Sequence, residues 1–287
     1  MKRLNFRRRE AVTGLAFAAL PLAGFIVFFA APFLISIIEA FQKNSRFAGF
    51  QNFFDLFGSD AFQLAAGNTL RFIACGVPLI MLVSMAAALL LNRKVRHTKV
   101  LRTVFVFPYV IPVASIIMAF NVLFEQSGIV NSIGRFFGFE TINFLGSDNA
   151  FYVLLFLYIW KNFGYNMLLL LAGLSQIPSE YYDAAQIDGA GKWRRLISIT
   201  LPLMFPTFFF VFIISIINSF KVFREAYALG GAYPHESIYT LQHFMNNNFV
   251  NLNYSRVSVA SLITFAVISV IVCALFAFQR RAGESQL

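Results

Sequence analysis

The residues most able to do chemistry in this chain are polar side chains inside two apolar stretches, 150–174 and 201–220. A lysine stands near the middle of the first stretch, and an ionisable residue within a membrane span is costly and therefore a functional candidate. Nearby amides and hydroxyls recur at the i, i+3 and i+4 spacing that puts side chains on one helical face. Such groups, beside aromatic rings, suit the hydroxyls and the apolar C–H face of a sugar. We predict a substrate cavity lined by Lys161, Asn162, Tyr165, Asn166, Ser215, Asn218 and Ser219.

Each of these side chains has a plainer alternative role. Amides and hydroxyls also hold membrane helices together through hydrogen bonds. Lys161 is alternatively a structural charge that pairs with a carbonyl group or with a glutamate of a partner subunit. In an ion-coupled secondary carrier it would instead be the coupling residue. The sequence leaves these alternatives open.

We predict no catalytic residue and no metal site in this chain. A phosphate-binding loop requires G-x-x-x-x-G-K-[ST]. Gly191-Lys192 is followed by Trp193, however, and Gln186 stands where the first glycine should be. No metal-ligand spacing connects the histidines, which are His97, His235 and His243.

The composition predicts an all-α membrane protein in a single domain, 1–287. Hydrophobic residues make up 59% of the chain and charged residues 13%, whereas roughly a quarter of the residues in soluble domains are charged. Pro108 and Pro112 are expected to bend the third span, and Cys75 and Cys273 to be small buried residues. Each of the six apolar stretches reaches or exceeds the length of about 20 residues that crosses a bilayer, and they are 12–41, 68–91, 103–124, 150–174, 201–220 and 257–278.

The placement of lysine and arginine predicts the orientation, because short cytoplasmic loops carry an excess of both. This bias puts both termini and the fourth connection in the cytoplasm, and it explains the net charge of +10 without nucleic acid. The side predicted to be external has few such residues, namely Lys43, Arg46, Arg135, Lys221, Arg224 and Arg256. The predicted cytoplasmic side has Lys2, Arg3, Arg7, Arg8, Arg9, Arg93, Lys94, Arg96, Lys99, Arg102, Lys192, Arg194, Arg195, Arg280 and Arg281.

The fourth connection, about 176–200, reads as a short surface helix followed by a turn. Ser179 is a good N-cap, and Glu180 places negative charge in the first turn, where the helix dipole favours it. Gly189 is expected to break the helix. Tyr181, Ala184, Ala185 and Asp188 fall at helical spacing along one side of this helix. Because Ala184 and Ala185 are small, the backbone of a partner protein could approach this side closely.

This loop resembles the EAA signature of the ABC importer permeases. The one departure is Asp183, which stands where the signature usually has Glu and so keeps the charge with a shorter reach. The signature residues are Asp183-Ala184-Ala185, Gly189, Ile199 and Leu201-Pro202. Further segments resemble the sugar-importer branch of MalF and UgpA type, namely Ile177-Pro178, Ile187-Asp188-Gly189-Ala190, Trp193 and Gly49-Phe50-Gln51-Asn52-Phe53.

The resemblance implies a MetI-like permease of six transmembrane helices in a bacterial-type inner membrane, importing a sugar, more specifically an oligosaccharide. It implies four further components: a second homologous permease, two cytoplasmic ATPase subunits and an extracytoplasmic sugar-binding protein. ATP and Mg would be bound by the ATPases, with no cofactor in this chain. A glycerol-phosphate importer and, from the residues, an ion-coupled carrier are the alternatives. The implied coupling helix, which docks on the ATPase, contains Glu180, Asp183, Ala184, Ala185, Asp188 and Gly189.

Overall fold

The computed structural model describes residues 2–43, 46–92 and 98–284. Four residues of the sequence analysis lie outside this part of the chain: the predicted cytoplasmic cations Arg93, Lys94 and Arg96, and His97.

The described chain is helical apart from irregular connections and one short hairpin. The hairpin pairs β1 (Gln42–Lys43) with β2 (Arg46–Phe47) in antiparallel register. Two π-helical turns, Ile26–Ala30 and Leu196–Thr200, and a 3₁₀ turn, Glu236–Ile238, interrupt or link the α-helices. The α-helices are α1 (Lys2–Phe25), α2 (Ala31–Ala40), α3 (Gln51–Phe57), α4 (Asp60–Leu91), α5 (Thr98–Val110), α6 (Val113–Phe124), α7 (Ile129–Phe136), α8 (Ala150–Leu174), α9 (Ser179–Ile187), α10 (Lys192–Arg195), α11 (Leu201–Phe220), α12 (Phe223–Gly230), α13 (Leu241–Val250) and α14 (Tyr254–Glu284).

Six helical segments of the described residues are long and apolar enough to cross a membrane, which confirms the predicted number. Five of the predicted cores lie within these segments or extend past them by one residue, and the helical segment around the fifth core extends well beyond it at both ends. The third predicted core, 103–124, shares only 113–124 with its segment. The segments are Arg9–Ala40, Asp60–Leu91, Val113–Phe136, Ala150–Leu174, Lys192–Gly230 and Tyr254–Gln279.

The third span was predicted to be one bent helix over 103–124, but the structure has two separate helices there. The helix stops at Val110 and a new one starts at Val113, with Pro112 in an extended conformation at φ −56° and ψ 137°. Proline disfavours the helical conformation in the residue before it, so the break falls at Ile111. Pro108, in contrast, is accommodated inside α5.

The chain divides into two compact units, and the first contains the residues up to Ser59 together with Asn247–Ser269. The side-chain amide of Asn52 organises this unit, because it donates hydrogen bonds to the carbonyl groups of Ala40 and Gln42 at 2.9 and 2.8 Å. Lys43 pairs with Asp55 at 2.7 Å, and this hydrogen bond lowers the pKa of the Asp55 carboxyl. These contacts hold the hairpin and α3 to the end of α2.

The second unit contains Asp60–Asn246 and the residues from Val270, with α8 at its centre. Helix α8 packs against α4, α5 and α11. The largest buried cluster joins α4, α8 and α11, and contains Val77, Met81, Met85, Ala88, Leu91, Met167, Leu170, Leu171, Leu174, Met204, Val211 and Ile216. Helix α8 therefore positions the polar residues that it carries against three neighbouring helices.

The prediction that Cys75 and Cys273 are buried is wrong, because both side chains are exposed on the surface of the chain. On α4, the neighbouring residues Phe72, Gly76 and Val77 face the core, and Cys75 lies outside that face. A membrane helix has no need to bury a small apolar residue inside the protein, since lipid solvates it equally well.

Gly164 allows α8 to approach α5 closely, since a Cβ at this position would overlap the backbone carbonyl of Phe105. We expect Gly164→Ala to lower the free energy of unfolding by about 1–3 kcal/mol, the usual cost of overpacking. Unfolding by SDS in detergent micelles measures the change.

The matched control is Gly67→Ala in α4, where a Cβ would meet no atom within 4 Å. That variant should be neutral or slightly stabilising, because alanine favours a helix more than glycine does. Equal stability of the two variants would show that the helices do not meet at Gly164.

Candidate substrate cavity and exposed loop

A cavity of about 380 Å³ opens in the second unit where the break between α5 and α6 faces α8, α11 and α12. Its walls combine aromatic, amide and charged side chains. They are formed by Tyr109, Ile111, Pro112, Val113, Tyr158, Lys161, Asn162, Asn218, Lys221, Val222, Arg224 and Glu225. The proline break predicted to bend the third span thus forms part of the cavity wall.

Three of the predicted cavity residues, Lys161, Asn162 and Asn218, line this space. Asn162 is oriented by a hydrogen bond from its amide to the Tyr158 carbonyl at 2.8 Å. Tyr165 lies behind the wall, because its ring stacks on Tyr109 with centroids 4.8 Å apart and planes 10° apart. It therefore supports an aromatic lining residue.

Asn166, Ser215 and Ser219 do not line this cavity. The Asn166 amide donates to the Ser215 hydroxyl at 2.8 Å, and this contact joins α8 to α11. The hydroxyls of Ser215 and Ser219 donate to carbonyls of their own helix, on Val211 and Ile216. The alternative of hydrogen bonds that hold helices together describes the contact of Asn166 with Ser215, whereas the hydroxyl of Ser219 is satisfied within α11.

Lys161 forms an ion pair with Glu225, with 2.5 Å between Nζ and Oε1, and both residues are buried. Glu225 was not among the residues predicted from the sequence, where the alternative partners of Lys161 were a carbonyl group or a glutamate of a partner subunit. The available signal was electrostatic: a lysine inside an apolar span needs an opposite charge, and Glu225 follows the fifth predicted span by only five residues.

Helix α12 is supported from behind by His243. The imidazole ring lies 4.8 Å from the Phe223 ring in an edge-on arrangement, and Nδ1 accepts a hydrogen bond from the Thr240 backbone N–H at 3.3 Å. Burial lowers the pKa of His243 to about 4, so the ring stays neutral above that pH. A neutral aromatic support therefore holds the helix that carries Glu225.

We expect loss of either member of the buried pair to destabilise the protein strongly. Lys161→Met and Glu225→Met each leave one buried charge uncompensated, which typically costs about 3–5 kcal/mol. The double variant should unfold closer to the natural protein than either single variant, and SDS unfolding measures all three.

The exposed pair of Lys43 and Asp55 provides the control. Lys43→Met should leave the unfolding midpoint nearly unchanged, because solvent-exposed ion pairs contribute little. If the double variant at 161 and 225 loses as much stability as the two single variants added together, the pair is not coupled.

The helix predicted in the fourth connection is α9, but its start differs from the prediction. Pro178 is the N-cap residue, with φ −59° and ψ 139°, and Ser179 is already the first helical residue. A proline fits immediately before a helix because it has no N–H to satisfy. Ser179 therefore does not serve as the N-cap.

The exposed side of α9 contains Tyr181, Ala184 and Ile187, whereas Ala185 is half-buried. Tyr182 anchors the opposite side, since its hydroxyl lies 3.0 Å from the Thr200 hydroxyl in the π-helical turn before α11. Of the four residues predicted to share one side of the helix, Tyr181, Ala184 and Asp188 are exposed and Ala185 is half-buried.

Gly189 ends this segment as predicted. Its φ of +76° lies in the left-handed region, which glycine adopts without strain. Asp188 is the C-cap of α9, and the Gly189 N–H donates to the carbonyl of Gln186 at 3.1 Å. Glu180, Asp183 and Ala184 lie in α9 before this turn, and all three are exposed.

The six long apolar helices define an integral membrane protein, and comparison with known proteins gives it a MetI-like permease fold. Residues 76–283 match the family described as binding-protein-dependent transport system inner membrane component, and the chain belongs to this family. It is a multi-pass membrane protein.

Two relatives cover nearly the whole chain at 30% identity. One is the probable ABC transporter permease protein YesP of Bacillus subtilis, matched over 96% of this chain and 93% of that protein. The other is the trehalose/maltose transport system permease protein MalF of Thermococcus litoralis, matched over 92% of each.

Among solved structures, the chain is similar to a subunit of a bacterial ABC transporter involved in the import of the acidic polysaccharide alginate. The TM-score is 0.85 at 24% identity, covering 97% of this chain and 99% of that one. This similarity establishes the fold over nearly the entire length.

Proposed function

We propose that the chain is a permease subunit of an ATP-driven importer that takes up a sugar delivered by an extracytoplasmic binding protein. The observation that carries the proposal is the cavity of Tyr109, Asn162 and Asn218 beside a helix break, because amides and aromatic rings together match a sugar's hydroxyls and C–H face. The similarity to the trehalose/maltose transport system permease supports a sugar as substrate. The volume of about 380 Å³ is in the range of small-ligand sites.

The complex would contain a second homologous permease and two cytoplasmic ATPase subunits. The sequence has no phosphate-binding loop. ATP and Mg would therefore be bound by the ATPase subunits. The second permease would complete the cavity from its open side.

Both termini and α9 would face the cytoplasm. The support is the charge bias of the loops, since Lys192, Arg194 and Arg195 follow α9 directly. In this orientation α9 and the turn that follows it would dock on an ATPase subunit. The contact residues would be Glu180, Asp183, Ala184, Ala185, Asp188 and Gly189. The anchor of α9 to Thr200 would pass the motion of the ATPase to the fifth span.

Reconstitution separates this function from an ion-coupled carrier. The proteoliposomes contain the chain, its second permease, the ATPases and the binding protein. We expect them to take up labelled di- or trisaccharides only when ATP and Mg are present on the side of the membrane where the ATPases lie. Uptake by this chain alone, driven by a proton or sodium gradient, would overturn the proposal.

Variants of the exposed loop test the docking role. Ala184→Arg should reduce ATP-dependent uptake by roughly tenfold or more, because a long charged side chain at a packed interface blocks close approach, while the complex still inserts. Ala184→Ser is the matched control and should retain uptake. Copurification of the ATPase with the permease distinguishes lost docking from lost expression.

A second pair of variants tests the turn. Gly189→Asn should retain more uptake than Gly189→Val, because asparagine tolerates a positive φ and a β-branched residue does not. Normal uptake by both Ala184→Arg and Gly189→Val would exclude α9 as the docking helix.

A further inference from the structure

The cavity has an excess of fixed positive charge. Lys161 and Glu225 neutralise each other at 2.5 Å. The two remaining charged wall residues, Lys221 and Arg224, are exposed and form no ion pair or hydrogen bond with any described residue. The other wall residues are uncharged. Two cationic groups therefore face the space without a counterion supplied by the described chain.

The loop charge bias does not account for Lys221 and Arg224. They follow the predicted fifth core, 201–220, at the end of α11 that lies away from the α9 loop, which is the external side in the proposed orientation. Lysine and arginine are needed for topology on the cytoplasmic side only. Both residues line the cavity, so their positive charge is better explained by a role in the cavity than by membrane topology.

We propose that this cavity takes a negatively charged carbohydrate, one that carries a carboxylate, sulfonate or phosphate group, rather than a neutral sugar. The inference rests on the proposed function and specifies its substrate class. The anionic group would pair with Lys221 and Arg224, since a guanidinium binds planar carboxylates and tetrahedral oxyanions through parallel hydrogen bonds.

The neutral wall residues would hold the rest of such a substrate. The Asn162 and Asn218 amides can each donate to and accept from hydroxyl groups, and the ring of Tyr109 is fixed by stacking on Tyr165. Lys161 remains bound to Glu225, so it contributes shape rather than net charge. The cationic pair thus decides the sign of the substrate, and the amides and the ring bind its sugar part.

A binding comparison tests this inference apart from transport. The assembled complex in lipid nanodiscs is equilibrated with labelled trigalacturonate or with its methyl ester, which has the same sugars without charge. We expect the acid to bind about tenfold more tightly at about 0.01 M salt, and the ratio to shrink at about 0.15 M as screening increases. Equilibrium dialysis measures both affinities.

The variant Lys221→Gln/Arg224→Gln should abolish this preference, whereas Arg135→Gln, which removes an exposed cation outside the cavity, should preserve it. Equal binding of the acid and the ester, binding of neither, or a preference that survives in the double variant would each overturn the inference. Failure of the proposed function would appear differently, as absence of ATP-dependent uptake in the reconstituted system, whatever the binding ratio.

Discussion

A charge inside an apolar helix must be neutralised, and the pair between Lys161 and Glu225 is how this chain meets that constraint. Glu225 reaches Lys161 only because the chain turns after α11, so that α12 comes back against α8. The same turn brings Lys221 and Arg224 to the edge of the space beside α8. The cavity and its net charge are therefore consequences of where one lysine is placed and how it is compensated.

The polar residues of the spans divide into two groups with different partners. Asn166 and Ser215 bind each other across α8 and α11, and they belong to the packing of the helices. Asn162 and Asn218 lie on the wall of the cavity. The first group joins α8 to α11, and the second group faces the open space beside them. Packing and recognition thus use the same side-chain chemistry a few residues apart.

The sequence predicted the number of spans, their approximate bounds, the loop helix and the turn at Gly189, because each depends on local composition or on a local conformational preference. It did not predict which amides face the cavity. Asn162 and Asn166 share a helical face by spacing, and only the position of α11 decides that Asn166 is covered and Asn162 is not. Glu225 was missed for the same reason, since its partner lies 64 positions away in sequence. The break at Ile111 was within reach of sequence reasoning, because the residue before a proline avoids the helical conformation.

The segment from Lys192 to Phe220 is a continuous helical rod made of α10, a π-helical turn and α11, roughly 40 Å long at about 1.5 Å per residue. The Tyr182 hydroxyl is attached to it near one end, and Asn218 lies on the cavity wall near the other. A stiff rod transmits displacement along its length with little loss, so the exposed loop and the cavity wall cannot shift independently unless the rod flexes. Pro202 and Pro206 are its only prolines, and they lie next to the π-helical turn, where a helix yields most easily. Bending of this rod is therefore expected within about two turns of helix beside the π-helical turn, away from Asn218 on the cavity wall.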